Sequence, residues 1–354
     1  MSATTDNGQV ADLVGDVDAY TNITLGVRIF AWISVTVMFC FLVNNYLTFW
    51  RDWPGVSALM QHFQLFGSEP LKSPLSGASV LMATIQMLSY VVCLAGSFAF
   101  VMISRTKTLR EDSLSLTALS AYVIRAAFWI VVFVGLADAI ISFLRVEDFL
   151  SSVVGDELTT SLGRSQFRAP YVHFPLIVLS LIIAVFNRSL GFTWLTLLVV
   201  VAEFMIVITR FIFSYEQAFM GDLVRFWYAS LFLFASAYTL IEEGHVRVDV
   251  LYAGFKDKTK GRVNALGAVL LGMGLCWTIL LVGLWGKANI INAPLLIIEV
   301  SQSGFGMYVK YLMAGFLAIF AISMMIQFAS SLLESVADIR GEPGKRQLDS
   351  EIIH

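Results

Sequence analysis

The chain has 354 residues, 58% of them hydrophobic and only 14% charged, with a net charge of −3. A water-soluble protein of this length could not hide so much apolar surface, so the long uncharged runs are spanning segments. The charge gives no reason to expect a nucleic-acid partner. Cys40, Cys93 and Cys276 all lie in apolar runs without a Cys-x-x-Cys pair, which argues against disulfides and against a metal cluster.

Residues 1–26 are polar and acidic (Asp6, Asp12, Asp16, Asp18) and lack the basic start and short apolar core of a cleavable signal. They read as a mobile tail. A spanning helix needs about 20 mostly apolar residues. The first candidate runs from Val27 to Trp50 and ends in an interfacial aromatic cluster, Tyr46, Phe49, Trp50 and Trp53. A loop with Pro54, Pro70 and Pro74 leads to the second, Gly77 to Ile103, which is free of charge. After the basic loop Arg105-Thr-Lys-Thr-Leu-Arg110 comes the third, Leu116 to Leu144.

Val146 to Arg168 reads as an amphipathic or irregular stretch outside the membrane. The fourth run, Tyr171 to Phe186, is short and has Pro175 near its start. The fifth runs from Phe192 to Phe213, the sixth from Leu223 to Ile241, the seventh from Val263 to Trp285, and the eighth from Met307 to Leu333. In the seventh, Gly267, Gly272 and Gly274 suggest close helix packing. The expectation is an all-α polytopic membrane protein of about eight spans.

Orientation follows from Lys and Arg in short loops. With the amino terminus in the cytoplasm, that side receives Arg28, the cluster Arg105/Lys107/Arg110, Arg188, Arg247, the cluster Lys256 to Arg262, and Arg340, Lys345 and Arg346. The other side keeps a thinner set. Eight spans put both termini in the cytoplasm; if the fourth run did not cross, the two basic clusters would face opposite sides. The chain divides near Phe192: a tail (1–26), a four-helix amino-terminal extension (27–190), a second four-helix part (191–334), and a charged cytoplasmic tail (335–354).

Ionisable groups in mid-membrane cost about 2.5–3.5 kcal/mol each on insertion scales, so each calls for a partner or a purpose. Arg125 and Asp138 share the third span but lie thirteen residues apart on different faces, so they cannot pair with each other. Glu203 and Arg210 lie two turns apart on one face of the fifth span, about 10 Å along the axis. One reading is a proton or cation relay through Glu203 and Asp138. The other is structural: an interhelical ion pair, for example Glu203 with Arg125, or contact with a partner subunit. The spans hold no second cluster of carboxylates to complete a pathway, which favours the structural reading. His173 and His62 have no second His at ligand spacing, so no haem, metal or other cofactor is expected. No catalytic arrangement is visible, and an enzyme is not expected.

The most ordered polar sequence follows the sixth span: Glu242, Glu243, Gly244 and then His245-Val-Arg-Val-Asp249, in which polar side chains recur every second residue. That alternation suggests a short extended stretch with one face in a protein interior or interface. There Arg247 and the carboxylates can hydrogen-bond each other or a partner.

From about Phe192 to Glu334 the chain resembles the small (Q-type) permease subunit of tripartite ATP-independent periplasmic (TRAP) transporters. Those subunits have four spans and a His-Val/Ile-Arg-Val-Asp signature after the second, here His245 to Asp249. Thr209-Arg-Phe-Ile-Phe213, containing Arg210, resembles the ending of the family's first helix. Asp222-Leu-Val-Arg225 stands at the acidic start of the second, with Asp where Glu is usual. The resemblance implies a scaffold in the bacterial inner membrane that holds a large permease subunit in the lipid bilayer. That partner would carry sodium-coupled uptake of an organic anion, often a carboxylate, brought by a periplasmic binding protein. A membrane anchor of a redox complex and a self-sufficient transporter are the alternatives.

Overall fold

In the computed structural model, residues 7–71, 73–188, 192–215, 217–241, 252, 254–301 and 306–344 are described, with side chains from 22 on except at 192 and 241. Among them there is no strand, and eight helices are long and apolar enough to cross a membrane. They are α1 (Asn22–Trp50), α2 (Gly77–Ile103), α3 (Leu109–Val146), α4 (Ser165–Phe186), α5 (Thr193–Ile212), α6 (Met220–Leu240), α7 (Asp257–Leu284) and α8 (Lys310–Arg340). The number of spans is as the hydropathy of the sequence requires.

Several ends differ from the sequence expectation, and each difference has a local cause. The helix of α1 reaches back to Asn7 through the stretch read as a tail, since extending an existing helix adds a hydrogen bond per residue. α3 begins at Leu109, seven residues before the apolar run, on a capping box. The Glu111 N–H donates to Thr108 Oγ1 at 3.2 Å and the Thr108 N–H donates to Glu111 Oε2 at 2.9 Å. The stretch read as irregular, Val146 to Arg168, holds short helices at Leu150–Val154 and Asp156–Leu162, and α4 already begins at Ser165. α8 runs on through Glu334 to Arg340, so the last span swallows part of the predicted tail. It ends on Gly341, whose φ of 67° lets the Gly341 N–H reach Asp338 O and the Glu342 N–H reach Ala337 O, a Schellman closure.

The chain forms two compact units. One comprises Met1–Leu116, Arg247–Gly272 and Phe328–His354; the other comprises Thr117–Val246 and Met273–Gln327. In the first, α1 packs on α2 through Ala31, Val35 and Met38, recurring every three or four residues. Polar side chains join the two helices: Thr36 with Ser97 at 2.7 Å, and Asn44 Nδ2 donating to Ser89 Oγ at 2.9 Å. Gln86 accepts from the Gly55 N–H at 2.9 Å and donates to Thr48, which fastens the short helix Gly55–His62 to this pair. In α7, Gly261 lies against Ser335 and Ile339 of α8, and Gly272 lies under the Phe328 ring. A Cβ at Gly267 or Gly274 would meet nothing within 4 Å among the described residues, so only Gly272 of the three is seen in close packing there.

In the second unit the apolar centre is built on α6. Phe226 and Phe234 bracket Phe316 of α8 at ring distances of 5.1 and 5.0 Å, and all three are buried. Trp227 Nε1 donates to Val131 O of α3 at 3.3 Å, an approach that the missing side chain of Gly135 permits. α5 rests on α6 along one edge, through Leu195, Val199 and Ala202.

Candidate functional site

The most highly connected polar centre of the second unit is Asp138, fully buried in α3. Its Oδ1 accepts from Arg168 NH1 at 2.8 Å and from His173 Nε2 at 3.1 Å, and its Oδ2 accepts from the Tyr308 N–H at 2.7 Å. A carboxylate only accepts, so His173 donates from Nε2, and in the neutral ring its Nδ1 accepts a hydrogen bond from the Tyr311 hydroxyl at 2.8 Å. Arg168, also fully buried, donates from Nε to Leu162 O at 2.9 Å and from NH1 to Ser142 Oγ at 3.3 Å. Its guanidinium lies 4.1 Å from the centre of the Tyr308 ring. The Tyr308 hydroxyl donates to Gly163 O and accepts from Arg145. The network joins α3, α4 and the start of α8, which is why α4 can start with a buried arginine. Asp138 therefore pairs with Arg168 and His173, partners that the sequence reading left outside the span or without a role.

Near the start of α6, Asp222 does what an acidic residue in a first turn favours. Its Oδ2 accepts from Ser301 Oγ at 3.0 Å and from the Met307 N–H at 3.1 Å, and Arg225, largely exposed, lies 3.6 Å from Oδ1. These residues line an open cavity of about 480 Å³ together with Val309, Lys310 and Met313. Glu147, just past α3, accepts from Gln217 Nε2 at 2.6 Å and from the Tyr215 hydroxyl at 3.2 Å. Loss of solvation first, and the Glu147 carboxylate second, raise the Tyr215 phenol above its ordinary pKa.

In the first unit, Arg28, counted from the sequence among the charges of the cytoplasmic side, is enclosed within the protein. It is fully buried, donating from Nε to Asp112 Oδ2 at 2.7 Å and from NH2 to Ser104 Oγ at 3.0 Å. Arg110 meets two carboxylates of α8, Glu334 and Asp338, and also donates to Pro343 O and Glu342 O, each at 3.0 Å. The spacing of Glu334 and Asp338 by four residues puts both on one helical face, a signal that the sequence carries and that a count of hydropathy and loop charge does not weigh.

Of the remaining predicted residues, Arg210 is exposed in the last turn of α5, where a cation suits the helix end. Arg125 is half-buried in α3 with its Nε unpartnered among the described residues. Glu203 is exposed in the middle of α5, and no described ion pair joins it to Arg125. Glu242, Glu243, His245, Arg247 and Asp249 lie outside the described residues.

Eight apolar helices, with carboxylates and guanidiniums buried against one another, define a multi-pass helical membrane protein. Residues 197–338 match the model of the family described as "Tripartite ATP-independent periplasmic transporters, DctQ component", so this part of the chain is similar to the TRAP small permease. The match covers α5 from Leu197 through α8 and bears out the resemblance carried by His245 to Asp249. No curated protein and no solved structure matches the chain.

Proposed function

We propose that this chain is the small membrane subunit of a TRAP-type secondary transporter. It scaffolds a large transport subunit in a bacterial inner membrane, with both termini in the cytoplasm. The large subunit takes up an organic anion, a carboxylate, with sodium, after delivery by a periplasmic binding protein. The family match over residues 197–338 carries the reading. The state of the charges supports it: Asp138, Asp222 and Asp112 are taken up by partners within the chain, as suits a rigid frame rather than a moving substrate site. On this reading the chain divides into an amino-terminal extension (27–190) and a small-permease part (191–334), a division supported by a family match that lies wholly after residue 190. His245, Arg247 and Asp249, with Glu242 and Glu243, stabilise the cytoplasmic segment that follows α6 or dock it on the large subunit.

The test is a pull-down of the tagged chain from native membranes in mild detergent, with mass spectrometry of what accompanies it. A stoichiometric companion with many more spans, and lowered uptake with loss of that companion in Arg247→Ala, is the expected result. Recovery of the chain alone, or with haem-bearing soluble subunits, overturns the transporter reading. Normal uptake by an intact Arg247→Ala complex removes the role given to Arg247.

A further inference from the structure

Glu203 differs from the other carboxylates in the apolar stretches. Asp112, Asp138 and Asp222 have hydrogen-bonding partners within the chain, whereas Glu203 has none among the described residues and lies exposed. It is the eleventh of the twenty residues of α5, so at 1.5 Å per residue each end of the span is about 15 Å away. A glutamate side chain cannot reach a headgroup over that distance, and lipid tails offer it no donor. Val200 and Val207 lie three residues before it and four after it, on the same flank, and are 57% and 48% exposed. α5 buries little beyond Leu195, Val199 and Ala202, leaving Phe204 and Phe211 open as well. The flank is thus an apolar strip with a hydrogen-bond acceptor at its centre.

We propose that this flank of α5 is the seam against a spanning helix of the large transport subunit. Glu203 accepts there from a cationic or otherwise hydrogen-bond-donating side chain at mid-membrane. The inference deepens the small-subunit reading and rests on it. Charge complementarity selects the occupant. A second copy meeting this face about a two-fold axis would set carboxylate against carboxylate, and lipid would leave the acceptor unmatched. A partner helix with a donor at that depth satisfies the glutamate and covers the valines beside it.

The experiment places a photo-crosslinking residue at Val200 and, separately, at Val207 in the full complex in native membranes. In parallel, it measures recovery of the large subunit with Glu203→Leu and Glu203→Gln. Crosslinks from both positions to the large subunit are expected. Glu203→Leu should lower its recovery about three- to thirtyfold, the range of interhelical polar contacts in membranes, with Glu203→Gln retaining part of it. The amount of this chain in the membrane should not change, because Glu203 makes no hydrogen bond or ion pair among the described residues. Crosslinks to lipid alone or to a second copy, or full recovery with Glu203→Leu, overturn the proposal while the small-subunit reading stands. If the unaltered chain brings down no larger membrane subunit, both fall together.

Discussion

α3 and α5 each carry a carboxylate inside an apolar run, and the two are handled in opposite ways. Asp138 in α3 is fully buried and accepts three hydrogen bonds, from a guanidinium, an imidazole and a backbone N–H. Glu203 in α5 is exposed and accepts none among the described residues. The surroundings differ in the same sense: 44% of the most apolar stretch of α3 is buried, against 17% for α5, so α5 keeps most of its surface for lipid or another protein. An ionisable group in a span is not in itself a sign of a transport pathway. Where it is enclosed, it welds the fold; where it is bare, as at Glu203, it is left for a partner such as the one proposed above.

The largest expected effect comes from breaking the enclosed side of this comparison. Asp138→Ala leaves the Arg168 guanidinium buried without its counter-charge, a loss of about 3–5 kcal/mol and a large fraction of an ordinary stability. Thermal unfolding in detergent should show a steep drop in Tm. The double variant Asp138→Ala/Arg168→Leu should recover part of it, since the pair is coupled. An unchanged Tm in Asp138→Ala would remove the claim that this network holds α3, α4 and α8 together.

A smaller effect is expected at Arg110, where the carboxylates of α8 are a quarter to a third exposed and solvent screens the pairing. Arg110→Ala removes two carboxylate contacts and two carbonyl contacts, about 1–3 kcal/mol of local stability. Limited proteolysis should cut faster between Asp338 and Gly344 in the variant. Equal cutting rates would show that the end of α8 does not depend on this arginine.

The smallest contrast concerns glycines. A Cβ at position 135 would lie 2.6 Å from Trp227 Nε1, so Gly135→Ala must push α3 from α6 or displace the indole, costing about 1–3 kcal/mol. Gly267→Ala meets nothing and should be neutral within about 0.5 kcal/mol or slightly stabilising. Trp fluorescence and Tm on the two variants would separate them; equal shifts would contradict the packing described for α6.

Much of the architecture is legible in the order of the residues alone. A bilayer demands one long apolar run per crossing, and the eight runs in the sequence are eight helices in the fold. The family is legible in His245 to Asp249 and in the residues around Arg210 and Asp222, because a short polar pattern at a set place after a span is local information. Helix ends are less legible. Hydropathy fades where polar residues begin, yet α3 and α8 continue because Thr108 with Glu111 caps the one, and Arg110 donating to Glu334 and Asp338 anchors the other. The capping box is present in the sequence as Thr-x-x-Glu.

The partners of the buried charges are not legible at all. Arg28 with Asp112, and Asp138 with Arg168, lie 84 and 30 residues apart, and no periodicity relates them. A charge count makes Arg28 a cytoplasmic charge, and hydropathy leaves Arg168 in an external stretch. Taken alone, the sequence determines that the chain lives in a membrane, how many runs are long and apolar enough to cross it, and which family its later part resembles. Those depend on composition and local order. The tertiary structure decides which charges are enclosed and which are bare, since pairing depends on where helices distant in the chain meet, and it leaves Glu203 exposed in mid-span without a hydrogen bond among the described residues.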